Sequence, residues 1–90
     1  MGQTRRTGPL HSKAYGELRS TLRTIRREAG LTMEALAATF GRPHTFVSKV
    51  EAGERRIDPI EFCRWCDACN RKPQEVIKDV AKAAKRLRYL

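Results

Sequence analysis

Tyr15, Leu18, Leu22, Ile25 and Ala29 recur at steps of 3, 4, 3 and 4, which places five apolar side chains on one stripe of a helix. Arg19, Arg23, Arg27 and Glu28 fall elsewhere on the wheel. The pattern predicts a first helix over about residues 12–29, stopped by Gly30, which can take the left-handed conformation that ends a helix. Thr32 is then an N-cap for a second helix over residues 33–40, with Glu34 at the positive end of its dipole and Leu36, Ala37 and Phe40 inward. Beyond Gly41 and Pro43 a third helix is expected over residues 44–51, burying Val47 and Val50. Asp58 before Pro59 reads as an N-cap and a helix-opening proline, so a fourth helix spans about residues 59–69 with Phe62, Trp65, Cys66 and Cys69 as its buried stripe. Pro73 opens a fifth helix that continues to about residue 88. With no alternating strand pattern between them, these elements give an all-α, five-helix fold.

The second and third helices carry a more specific pattern. Two short helices that cross steeply need a small residue where their backbones approach, and Ala37 supplies it. The tight turn between them favours a residue that accepts positive φ, and Gly41 stands there. Val47 and Val50 anchor the inner side of the third helix, leaving His44, Thr45, Ser48 and Lys49 outward. Together, at this spacing, they describe a helix-turn-helix.

Composition sharpens the partner. Nineteen Lys and Arg against ten Asp and Glu give the 90-residue chain a formal charge of +9, so polyanions are the expected ligands. The excess lies in the first and last thirds of the chain, interleaved with apolar residues at helical spacing, while bases and acids balance over residues 31–60. The length supports one domain, and no apolar run approaches a membrane span. Without an apolar run behind Arg5 and Arg6 no secretory signal is expected, and the expected location is the cytoplasm, in association with the nucleoid.

Leu31 to Ile77 resembles the Cro/phage-repressor (Xre) family of helix-turn-helix proteins, above all in the run LTMEALAATFGRPHTFVSKVEAGERR. The resemblance implies a compact five-helix, lambda-repressor-like DNA-binding domain, usually dimeric, whose third helix enters the major groove of double-stranded DNA. Met33 departs from the glutamine often found at the start of the family's second helix, where it touches a phosphate. On this plan His44, Thr45, Ser48 and Lys49 are the side chains placed to reach base edges. Arg42, Arg55 and Arg56, in the loops flanking the third helix, with Arg19 and Arg23 on the first, are placed to contact phosphates. The family also pairs an arginine late in helix 1 with the glutamate ending helix 3, which here are Arg26 and Glu51; direct phosphate contact by Arg26 is the competing reading.

The expected organisation is a flexible basic arm over residues 1–11, the DNA-binding domain over residues 12–77, and an extension of the last helix over residues 78–90. Along that last helix Ile77, Val80, Ala84 and Leu87 step by 3, 4 and 3, a coiled-coil-like seam suited to a homodimer; the alternative is that the distal turns fold back across helix 1. Cys63, Cys66 and Cys69 spell C-x-x-C-x-x-C, but on a helix three such sulfurs fan over about 120° and climb about 9 Å, so they cannot converge on one ion. Core packing is the expectation, with redox sensing the alternative, and no metal and no cofactor. No nucleophile has a base and an orienting acid in reach of the pattern, so an enzyme is not expected. The function expected is a dimeric repressor on a palindromic operator. An autorepressing antitoxin with a toxin partner is the nearest alternative, and a basic protein-interaction or RNA-associated module the more distant one.

Overall fold

Each helix starts where a side chain or a proline prepares it. Residues 11–90 are described by the computed structural model, so the basic arm with Arg5 and Arg6 lies outside the described residues except for His11. The order is α1 (Lys13–Glu28), α2 (Met33–Ala38), α3 (His44–Ala52), α4 (Pro59–Ala68) and α5 (Pro73–Arg86), with no strand among the described residues. Ser12 Oγ accepts from the Tyr15 amide at 3.0 Å and Thr32 Oγ1 from the Ala35 amide at 3.0 Å, satisfying donors that the first turns of α1 and α2 leave open. At α4 the box is reciprocal: the Glu61 amide donates to Asp58 Oδ1 at 2.7 Å, and the Asp58 amide to Glu61 Oε1 at 3.0 Å.

α2 ends two residues before the expected Phe40, because Thr39, Phe40 and Gly41 form the turn itself. Gly41 has φ +67°, and the Arg42 amide reaches back to the Ala37 carbonyl at 3.1 Å, closing the helix and turning the chain toward α3. A Cβ at Gly41 would meet no neighbour but would carry the cost of that left-handed backbone.

One core unites the five helices: Leu22 and Ile25, Leu36 and Ala37, Phe46, Val47 and Val50, Phe62, Trp65, Cys66 and Cys69, and Val76. Trp65 is fully buried at its centre, and its indole N–H donates to the Leu22 carbonyl at 3.1 Å, tying α4 to α1 without leaving a buried donor unpaired. α2 packs on α3, and α5 lies along α1.

The placement of α5 corrects the expected dimer seam. Val76, Val80 and Ala84, at steps of four, form its inner face and are buried within the chain. Of the seam residues, Val80 and Ala84 are therefore already covered, Leu87 is half-buried, and Ile77 alone stays exposed. The helix runs without a break through residues 77 and 78, where the extension was expected to begin. The Ala14 amide donates to the Leu90 carbonyl, which holds the far end of the chain against the start of α1.

Candidate nucleic-acid interface

α3 is amphipathic. Phe46, Val47 and Val50 point into the core, His44, Thr45 and Lys49 are exposed, and Ser48 is half-buried with its hydroxyl donating to the Thr45 carbonyl at 3.2 Å. Ala37, with no exposed surface, lets α2 cross α3 closely. Arg42, Thr45 and Lys49 line one open hollow of about 320 Å³, together with Pro43, Phe46 and Arg55. Arg56 and Arg23 are exposed as well.

Two of the expected phosphate ligands are committed elsewhere. Arg55 forms a bidentate pair with Glu61, at 3.0 and 3.1 Å, and also donates to the Arg56 carbonyl at 2.6 Å. Its charge is thus answered by the residue that boxes the start of α4. Arg19 turns toward the end of α3, where Nη1 donates to the Glu51 carbonyl at 3.2 Å, favourable for a cation at a helix C-terminus. The positions of both were legible in the sequence; their partners, supplied by tertiary packing, were not.

Phe46 is the residue the sequence reading passed over. It is only 5% exposed on α3, packed in the core with Phe40 at 4.8 Å and Trp65 at 6.5 Å between ring centroids, and two guanidinium groups lie against its ring. Arg42 lies 4.9 Å and Arg55 4.7 Å from its centroid, within the range of a cation–π contact. Arg42 lies in the turn before α3, outside the helix, so helical spacing gave no signal of this contact. Arg64 makes a similar contact with Phe40 at 4.8 Å and donates to the Thr39 carbonyl at 3.1 Å, bracing the turn between α2 and α3 from α4.

Behind the exposed face of α3, Arg26 and Glu51 form a bidentate ion pair, Nε to Oε2 at 2.7 Å and Nη2 to Oε1 at 3.1 Å, with side chains 8% and 4% exposed. Arg26 Nη1 donates to the Leu31 carbonyl at 2.8 Å, so one guanidinium joins α1, the α1–α2 turn and the end of α3. The hydrogen bond to Glu51 raises the Arg26 pKa above its ordinary value against the opposing effect of burial.

The sequence profile of the helix-turn-helix domain family matches residues 17–77. A solved structure described as an XRE-family like protein from Pseudomonas syringae pv. tomato str. DC3000 is similar to this chain, at a TM-score of 0.76 and 36% identity over 90% of this chain and 96% of that one. The chain belongs to the XRE family of helix-turn-helix proteins. Helix-turn-helix domains of this kind are the DNA-binding modules of transcription regulators. No curated protein sequence matches this XRE-family chain.

Within this family fold the cysteines divide by depth. Cys66 and Cys69 are core residues and Cys63 is exposed on α4. Burial pushes the thiols of Cys66 and Cys69 up to about 11, which keeps both protonated at neutral pH and poorly nucleophilic. No helix among the described residues is long and apolar enough to cross a membrane.

The Arg55–Glu61 pair makes a pH prediction. Its hydrogen bonds and charge hold the Glu61 carboxyl below the ordinary glutamate value, so ionisation of Glu61 stabilises the fold. That contribution is present above the unfolded-state pKa of about 4.3 and is lost as the pH falls from there through the lower folded value. Glu61→Gln is expected to be less stable than the wild type at pH 7 and to flatten the acid limb of a Tm-against-pH profile below about pH 4.3. An acid limb unchanged by the substitution would show that Glu61 is not its source.

Proposed function

We propose that this XRE-family chain is a sequence-specific regulator of transcription, a dimeric repressor that occupies a palindromic operator and reads it through α3. The observation that supports this most is the exposed row of His44, Thr45 and Lys49 beside the Arg42 hollow, on a chain with a formal charge of +9. His44 and Thr45 stand on the first turn of the recognition helix and Lys49 one turn further on, where side chains meet base edges in the major groove. Arg42, Arg56 and Arg23 supply exposed charge for phosphates. Operator occupancy competes with polymerase, which gives repression.

For the dimer, an apolar surface open to a second copy is a groove between the first turns of α4 and α5, of about 560 Å³, with Leu18, Ile57, Phe62 and Ile77 among its walls. Ile60, 69% exposed, stands one residue on from Pro59 at its rim. No Lys or Arg is among the residues that line it, so two strongly basic chains can meet there with little repulsion.

Selection of bound sequences from a random duplex pool tests the function. An inverted repeat with half-sites about one helical turn, roughly 34 Å, apart is expected. Equal affinity for every duplex would defeat the reading. On the recovered operator, Lys49→Ala, His44→Ala and Thr45→Ala should each relax preference at one or two positions per half-site, by about 1–3 kcal/mol for a good base contact. A Lys49→Ala variant that weakens all sequences alike and keeps its preferences would move Lys49 to the phosphates.

A further inference from the structure

Phe46 packs into the core against Phe40 and Trp65, and its ring also carries two cations. On α3 this large aromatic ring has two arginine guanidinium groups within cation–π range, Arg42 at 4.9 Å and Arg55 at 4.7 Å from its centroid. The two cations are not equivalent. Arg55 is neutralised by bidentate contact with Glu61 and anchored to the Arg56 carbonyl, whereas Arg42 is exposed and its charge remains available. Both line the same hollow as Thr45 and Lys49.

We infer that Phe46 is a positioning residue for DNA binding: its ring presents the Arg42 guanidinium to a backbone phosphate seated in the hollow beside α3, and the Arg55–Glu61 pair holds a second guanidinium against the same ring. An arginine side chain at a surface loop carries rotamer freedom that is lost when it grips a phosphate. Stacking on Phe46 removes part of that freedom beforehand. The guanidinium is weakly hydrated and planar, so one face can lie on the ring while its N–H edge stays open to phosphate oxygens. The structure supplies the chain of contacts for this: Glu61 holds Arg55, Arg55 and Phe40 hold Phe46, and Phe46 holds Arg42. A phosphate contact so placed sets register and affinity, leaving base choice to His44, Thr45 and Lys49.

The inference rests on the DNA-binding reading, and one experiment separates the two. Duplex binding is measured against salt for the wild type, Phe46→Leu, Phe46→Tyr, Arg42→Ala and the double variant Arg42→Ala/Phe46→Leu, with Tm recorded for each. Each lost phosphate contact flattens the log–log salt slope by about 0.9. Phe46→Leu and Arg42→Ala are expected to flatten it by that amount and to weaken all duplexes alike, Phe46→Tyr to keep the wild-type slope, and the double variant to lose no more than Arg42→Ala alone. A Phe46→Leu slope equal to that of the wild type overturns the positioning role, as does a further loss when Phe46→Leu is added to Arg42→Ala. A wild-type chain without salt-dependent duplex binding overturns the DNA reading itself, and this inference with it. Because the slope counts contacts made by folded, bound protein, a lowered Tm in Phe46→Leu cannot imitate the expected pattern.

Discussion

Arg26→Ala is expected to lower the stability of the free protein by about 3–5 kcal/mol, the effect of stranding one partner of a buried ion pair. Glu51 would be left with a carboxylate only 4% exposed and no guanidinium to answer it, and the Leu31 carbonyl would lose its donor. Glu51→Ala should cost a similar amount for the converse reason. For a domain of this size the loss corresponds to a fall in Tm of more than about 12 °C, readily followed by circular dichroism. Replacing both partners with apolar residues, as in Arg26→Met/Glu51→Leu, should recover most of the loss, because a buried pair contributes little beyond what well-packed hydrocarbon would. The salt slope of DNA binding by folded Arg26→Ala protein should equal that of the wild type. A variant with near-wild-type Tm and a flatter slope would reassign Arg26 to phosphate contact.

Helix starts and stops were legible because their chemistry is local. Thr32 caps α2 and Asp58 boxes α4 within three residues of themselves, while Gly41 turns the chain through its own φ. The outward row of α3 was legible for the same reason, since Val47 and Val50 fix which side of nine helical residues faces the core. What periodicity could not decide was the partner of a side chain. Val80 and Ala84 satisfy equally a seam toward a second copy and a face toward α1, and only the path of the chain selects the latter. Arg55 and Arg19 likewise sit in a basic sequence as free cations would, yet Glu61 and the end of α3 claim them through the tertiary fold. Phe46 was missed because its ring partners, Phe40, Trp65 and Arg55, come from the turn and loops around α3 and from α4 and are set by the tertiary fold.

The double variant Ile60→Glu/Ile77→Glu is expected to convert a dimer into a monomer and to weaken operator binding by about 10²–10⁴-fold, the gain that linking two half-site contacts provides. Both side chains are exposed in the chain, at 69% and 46%, so the substitutions leave the core intact and the Tm close to that of the wild type. In a two-fold dimer each residue is used twice, and burying an isoleucine side chain is worth about 1.5–3 kcal/mol, so four of them supply a substantial part of an interface. Charge favours this site over the outer face of α5. There Lys78, Lys82, Lys85 and Arg86 would be brought together, and within a Debye length of about 8 Å salt does not screen them. The groove walls carry Asp58 and no base. Glutamate at the groove would place carboxylates against their two-fold mates, adding repulsion to the lost burial. Leu87→Glu serves as the contrast: half-buried at the end of a helix whose inner face lies on α1, it should reduce Tm and leave the dimer. Sedimentation with and without operator duplex decides between the surfaces. A double variant that remains dimeric excludes the groove, and a monomeric Leu87→Glu with unchanged Tm would return the interface to α5. A wild type that is monomeric in both conditions removes the two-fold operator from the proposed function, since a single recognition helix would then read a single half-site.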